Sequence, residues 1–347
     1  MRYLVKMKPL EPFAFGTDQG FGYPGEAGTG KESYFVRTRE FPEQTTILGM
    51  LRYQVLSDRQ LLKTSFEYTQ EEQAKMAEAI GKSSFCFSAK EKQSFGSIRE
   101  ISPVFILNEK GEIYIRNPFH NRAAKKGYEP ITMGNEAVVT SAGEIKMPLP
   151  GQYNAKVGYG SGFYNLTTGE ICGDLFGTHV VTGNCKNRGE DTDKDAYFKR
   201  EIKSLNTGCC FAVYVEADRL PAQAIVSMGQ KRSAFHMTAE ETTDESLEMQ
   251  VEAAFHGKGE VWYYALSDLL VEGKADYHHF CIVEEKSQRN LETVYNENAR
   301  HRKLKKSMVR YHLVGSGSVF YENCDLQLKS GNCEQIGYNK LVRLGGE

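Results

Sequence analysis

The sequence predicts an α+β fold, and three observations carry that reading. Strand-like and helix-like segments are interspersed along the chain, several neighbouring strands are joined by hairpin turns, and nothing repeats at a fixed period. The first segment, "RYLVKMK", alternates Tyr3, Val5 and Met7 with Arg2, Lys6 and Lys8, as a strand does. A Gly-rich stretch at 15–30 reads as a loop, and "ESYFVRTREFP" reads as extended up to Pro42. In "EQTTILGMLRYQVLSDRQLL" the residues Ile47, Leu48, Leu51, Val55 and Leu62 fall at helical spacing, with Thr45 or Thr46 as the cap. "TQEEQAKMAEAIG" predicts a second helix capped by Thr69 and stopped by Gly81. "SPVFILNEKGEIYIRNPF" predicts a hairpin around 109–111, and 117–147 reads as irregular. Further strands are predicted at 209–218 and in "HHFCIVEE", "LVGSGSVFY" and "IGYNKLVRLGG", and two more elements in "LEMQVEAAF" and "EVWYYALSDLLVEG".

At 347 residues the chain is long enough for two domains or one large one. There is no apolar run long enough for a membrane span, and the start is too charged for a signal peptide, so a cytoplasmic location is expected. In that compartment the eight cysteines, which form no CxxC pair, read as reduced thiols. A formal net charge of −2 is unlike that of a dedicated nucleic-acid binder, so any contact with RNA has to come from local basic patches.

Several motifs invite chemistry and then fail it. "GEAGTGKES" nearly spells a phosphate-binding P-loop, with Gly25, Gly30 and Lys31 in register. Glu32 stands where a hydroxyl should hold magnesium, and an extended segment follows where a helix should. "YHHFC" brings His278, His279 and Cys281 together in sequence, without the spacing of a four-ligand zinc site. No nucleophile elbow is present, and acidic pairs such as Glu240–Glu241 and Glu284–Glu285 lack a metal-ligand pattern. Neither a cofactor nor a metal is expected, and no catalytic residue is assigned.

The frame around the Gly-rich loop is more informative. "YLVKMKPLEPF" precedes it, and "SYFVRTREFPEQTTILGMLRYQVL" follows it. "AYFKREIKSL", "SMGQKRSAF", "LVGSGSVFY" and "IGYNKLV" come later in a consistent order. This combination resembles the RAMP superfamily of CRISPR proteins, and within it the family of the third subunit of the type III-B Cmr effector complex, in the Cas-five-like branch. Type III-A and III-D counterparts carry similar motifs. The resemblance implies two ferredoxin-like (RRM-like) modules, over 1–150 and 151–347, with Gly-rich loops and β-hairpin insertions. It also implies a non-catalytic subunit that holds the 5′ repeat-derived tag of the CRISPR RNA. Such a subunit contacts the large polymerase-like subunit and the first backbone subunit, and meets target RNA only indirectly.

The residues fit that expectation at several places. The helix start at Gln44, Thr45 and Thr46 offers N–H groups to a phosphate. Arg37 and Arg39 share a strand face upstream of it, and Arg52 follows along the helix. Gly229 with Lys231 and Arg232, and Gly315, Ser316 and Gly317, form two turns where a backbone can approach a nucleotide. Tyr197 beside Lys199 and Arg200 pairs an aromatic with cations. The densest basic run, 300–310, includes Lys303, Lys305 and Lys306 and suits either RNA phosphates or an acidic neighbour. Two other readings stay open. One is a RAMP endoribonuclease that processes precursor RNA, with His120, His179 or His236 as its base. The other is a scaffold with little RNA contact.

Overall fold

The computed structural model describes residues 1–23, 33–65, 67–122, 127–141, 143–150, 160–184, 197–272, 280–294, 303–322, 326–329 and 331–346. The P-loop-like stretch, apart from Ser33, lies outside these residues, as do His278 and His279.

Strand β1 (Arg2–Pro9) buries Tyr3, Val5 and Met7, as its alternation predicts. The stretch read as a Gly-rich loop is in part a strand: β2 (Phe15–Tyr23) pairs antiparallel with β3 (Ser33–Arg39), with a register shift between Gly16 and Gly20. Ladder hydrogen bonds to β3 supply what its glycine-rich side chains do not. Helix α1 (Gln44–Asp58) follows, capped by neither Thr45 nor Thr46. Its N-cap is Glu43, in extended conformation, whose carbonyl accepts from the N–H groups of Thr46 (2.8 Å) and Ile47 (3.1 Å). Helix α2 (Gln70–Ile80) has the predicted Thr69 cap, completed by Glu72 as a capping box, and stops at Gly81.

β4 (Ile98–Ile101) precedes the predicted hairpin of β5 (Phe105–Asn108) and β6 (Ile113–Arg116). The stretch read as irregular instead contributes a second hairpin, β7 (Met133–Thr140) with β8 (Gly143–Pro150). Gly134 and Asn135 in β7 and Pro148 and Pro150 in β8 are residues that sequence reading takes as turn rather than strand. The short strands β9 (Phe163–Asn165) and β10 (Ile171–Cys172) lead to the long strands β11 (Phe176–Asn184), β12 (Tyr197–Leu205) and β13 (Cys209–Ala217). β14 (Gln223–Met228), β15 (Ser233–Glu241), helix α3 (Leu247–Phe255) and β16 (Trp262–Ala265) follow. The C-terminal part holds β17 (Cys281–Ile282), β18 (Glu285–Gln288), β19 (Leu291–Val294), β20 (Lys303–Lys306), β21 (Tyr311–Val314), β22 (Val319–Tyr321), the short α4 (Asn332–Gln335) and β23 (Leu341–Leu344).

The fold is mixed, with many strands and few helices. Its largest sheet runs β10-β9-β6-β5-β13-β1-β15-β14, with β4 also on β13. Strands from both sides of residue 150 interleave in it, so this sheet does not divide there. One face packs Val5, Met7, Phe211 and Phe235 against Ile47 and Leu51 of α1. The other packs Phe105, Ala212 and Tyr214 against Leu247, Val251 and Phe255 of α3, with Trp262 and Tyr264 beyond. A separate sheet, β11-β12-β3-β2, joins the body at Phe13, whose N–H and C=O both bond Lys203 of β12 (2.8 Å each). Among the described residues no helix is long and apolar enough to cross a membrane.

Two core features have measurable consequences. The first is His120, fully buried and stacked on Trp262 at 4.4 Å, with Nε2 against the Tyr128 hydroxyl. Burial depresses its pKa to about 3. The unfolded chain, with histidine near 6.5, therefore binds a proton that the folded chain refuses between those values. Stability is complete above about pH 6.5 and is lost as pH falls toward 3. Urea unfolding at pH 7 and pH 4.5 should show His120→Phe shrinking the acid-induced loss of stability by about 2–3 kcal/mol relative to wild type; an equal loss in both would contradict the assignment.

The second is the turn after β21. Gly317 has φ 97°, and a Cβ there would stand 2.6 Å from the Phe119 ring. Its carbonyl accepts from the Phe119 N–H (2.9 Å) and its own N–H donates to Ala265 C=O (2.9 Å). Gly317→Ala should cost about 1–3 kcal/mol in the same assay; a neutral outcome would show that Phe119 yields freely.

Candidate nucleic-acid interface

A cleft of about 320 Å³ opens where β3, α1, β6, β12 and β18 converge, and it gathers several of the sequence-predicted residues. Arg37, Arg39, Gln44 and Ser316 all line it. So do residues that sequence reading missed: Glu40, Arg116, Lys203, Asp268, Glu284 and Lys286. No local motif marks these. The one available signal is a charge at the end of an otherwise apolar strand, as Arg116 in "IYIR".

The cleft is not a simple cationic trap. Its bases Arg37, Arg39, Arg116, Lys203 and Lys286 are matched in number by the acids Glu40, Glu43, Asp268, Glu284 and Glu285. Arg116 bonds Glu284 (2.8 Å) and Glu40 (3.3 Å), and Lys203 reaches Glu40 (3.5 Å). Lys286 bonds Asp268 (2.8 Å), whose Oδ1 also accepts from the Ser316 N–H (2.8 Å). Burial pushes the Asp268 carboxyl up, but Lys286 and the Ser316 N–H outweigh it and hold the group ionised, below its ordinary value. Arg39 pairs with Glu43 and also donates to Ser287 C=O (2.8 Å), tying β3 to β18.

Away from the cleft, the sheet β11-β12-β3-β2 extends one face. β12 pairs parallel with β3, Lys199 opposite Phe35 and Arg200 opposite Val36. Side chains two apart on a strand share a face, so Phe35, Arg37 and Arg39 lie on the side that carries Lys199 and Lys203. Lys199 and Arg37 are exposed, and Lys203 and Arg39 lead inward to the cleft. Arg200, adjacent to Lys199, belongs to the opposite face.

Other predicted residues lie elsewhere or are already occupied. Gln44 is buried; with its amide oriented to satisfy both ends, nitrogen donates to Ile336 C=O (3.1 Å) and oxygen accepts from Val104 N–H (3.2 Å). Thr45 and Thr46 are half-buried beside it. Arg52 donates to Gly81 C=O (3.2 Å) and Ser83 C=O (2.9 Å), clamping α1 to the end of α2. The close backbone approach at Gly229 is to the chain itself, since a Cβ there would stand 2.5 Å from Ala14 O. Gly317 likewise meets Phe119, and the Gly315 N–H donates to Glu284 C=O (2.7 Å). Lys231 and Arg232 are exposed on a short turn with positive φ. Lys303, Lys305 and Lys306 sit on β20, paired with β19 in a ribbon that continues β18 and β21.

The three histidines do not form one site. His120 is sealed in the core, which excludes it as a base acting on RNA in this fold. His179 lies on β11, 3.4 Å from Ser204 Oγ, and His236 lies on β15 opposite Ile225 and Lys8. Among the described residues no group of three or more His, Cys, Asp or Glu is placed to hold a metal.

Comparison with known proteins agrees with the resemblance. Residues 5–162 match the model of the family described as CRISPR-associated protein (Cas_Cmr3). No curated protein sequence matches the chain. The fold is similar to a chain in the cryo-EM structure of the Type III-B Cmr-beta bound to cognate target RNA, at 15% identity and TM-score 0.50, covering 98% of this chain and 96% of that one. A chain in the crystal structure of the Csm3-Csm4 subcomplex of the type III-A CRISPR-Cas interference complex covers 99% of each at 10% identity, with TM-score 0.37. The N-terminal part of the chain, residues 5–162, is thus similar to the Cas_Cmr3 family of CRISPR-associated proteins.

Proposed function

We propose that this chain is a non-catalytic subunit of a type III CRISPR effector complex that holds the 5′ repeat-derived tag of the CRISPR RNA. In that role it contacts the large polymerase-like subunit and the first backbone subunit, and it uses ferredoxin-like modules to do so. The family match and the fold likeness support the assignment to such a complex. The observation that carries the RNA role is the sheet face of Phe35, Arg37 and Lys199, which runs inward to the cleft of Arg39 and Ser316.

The two parts of this surface suit different parts of an RNA strand. Exposed cations beside an aromatic ring track phosphates and stack bases without reading sequence. The cleft's inner cations Arg39, Arg116, Lys203 and Lys286 are already paired with carboxylates, so a phosphate gains little by entering. Paired charges and oriented N–H groups there instead offer donors and acceptors to base edges. Tag preference therefore belongs to the cleft, and general affinity to the sheet face.

Replacing Arg37 and Lys199 with Ala should weaken tagged and untagged RNA alike and reduce the salt slope by about 0.7 per lost phosphate contact. Ser316→Val keeps the backbone N–H on Asp268 and should reduce the preference for tagged RNA with the slope unchanged. Loss of preference in the first variant, or none in the second, would overturn this division.

The basic run gives a separate check. Alanine at Lys303, Lys305 and Lys306 should lower the slope by about 0.7 per contact if the ribbon meets RNA. An unchanged slope with impaired assembly would assign it to a protein neighbour.

A further inference from the structure

Among the described residues, the β11 edge of the sheet β11-β12-β3-β2 is unpaired and unguarded. β11 pairs with β12 along its whole length, Phe176 opposite Leu205 through Asn184 opposite Tyr197. Among the described residues nothing pairs with its other side. Residues 178–182, "THVVT", are exposed one after another, so neither face of this stretch packs on the body. Val180 is 56% and Val181 40% exposed.

Natural edge strands are guarded by charged side chains, proline, a bulge or extreme shortness. β11 has none of these: it is nine residues long, its register with β12 is unbroken, and "FGTHVVTGN" holds no Lys, Arg, Asp, Glu or Pro. Successive β-branched residues at an open edge favour addition of another strand.

We propose that β11 receives an extended segment of a partner protein as an added strand, and that this segment is acidic. The edge offers alternating N–H and C=O groups, which match a polypeptide backbone. They do not match RNA, because the carbonyls would face phosphates and β11 carries no Lys or Arg. Charge sets the partner's character. Behind β11, β12 places Lys199 on one face and Arg200 on the other, next to Thr182 and Val181. The nearby Glu201 carboxylate is engaged by the Thr38 N–H (3.1 Å). An incoming strand therefore meets positive charge on both faces, whereas a second copy of this chain would bring Lys199 and Arg200 toward their own counterparts.

Hydrogen–deuterium exchange on the purified full chain tests this without reference to the RNA assignment. The probe is a synthetic ten-residue peptide alternating Val or Thr with Glu, with a Lys-for-Glu version as control. Residues 178–182 should exchange fast in the free chain, and the acidic peptide should slow them about tenfold or more. The Lys version should do so less, and Val180→Asp with Val181→Asp, both exposed positions, should abolish the effect. Four outcomes would overturn the proposal: slow exchange in the free chain, equal protection by both peptides, protection that rises with chain concentration alone, or protection by RNA instead of peptide.

Discussion

Arg116 sets the constraint on which the cleft depends. A guanidinium this enclosed has to be paired, and its partners are Glu284 at 2.8 Å and Glu40 at 3.3 Å. The three residues come from the end of β6, the turn before α1 and the loop before β18. Glu40 also receives Lys203 of β12. One shared network thus fixes the start of α1, the root of the outlying sheet and the base of the β18–β21 ribbon against one another. Removing a partner would leave charge buried and unpaired, which costs more than the pair contributes when intact.

In the proposed role, the same network lets a chain with a net charge of −2 present a surface to RNA. Cations are not in excess overall; they are sorted. Arg116, Lys203 and Lys286 near the body are paired with carboxylates, while Lys199 is exposed on the outlying sheet. Net charge predicts little about binding when the fold separates the charges in this way.

Much of the architecture was legible in the sequence because period and capping are local. Val5 and Met7 alternate in β1, Ile47, Leu48 and Leu51 mark α1, and Thr69 with Glu72 marks α2. β2 escaped because Gly16, Gly20 and Gly22 imitate a loop, and the β7–β8 hairpin escaped because Gly134 and Asn135 open β7 like a turn and Pro148 and Pro150 argue against a strand in β8. The site was legible only in part. Arg37, Arg39 and Ser316 do meet in the cleft, since strand geometry and chain direction placed them. Arg52 lies apart from the cleft because it reaches two carbonyls at the end of another helix, a tertiary contact with no sequence signal. The glycines were read for the right property, close backbone approach, but at Gly229 and Gly317 the approaching group is Ala14 or Phe119 of the same chain.

The central claim is that the tag lies along the β3–β12 face and ends in the cleft. Photo-crosslinking from a CRISPR RNA carrying reactive nucleotides in its tag, in the assembled complex, tests it most directly. The account predicts crosslinks to Phe35 or Tyr197 and their neighbours on β3 and β12, lost when the reactive nucleotides are moved into the spacer. Tag crosslinks confined to other parts of this chain, or a tag equally protected when this chain is left out, would contradict it.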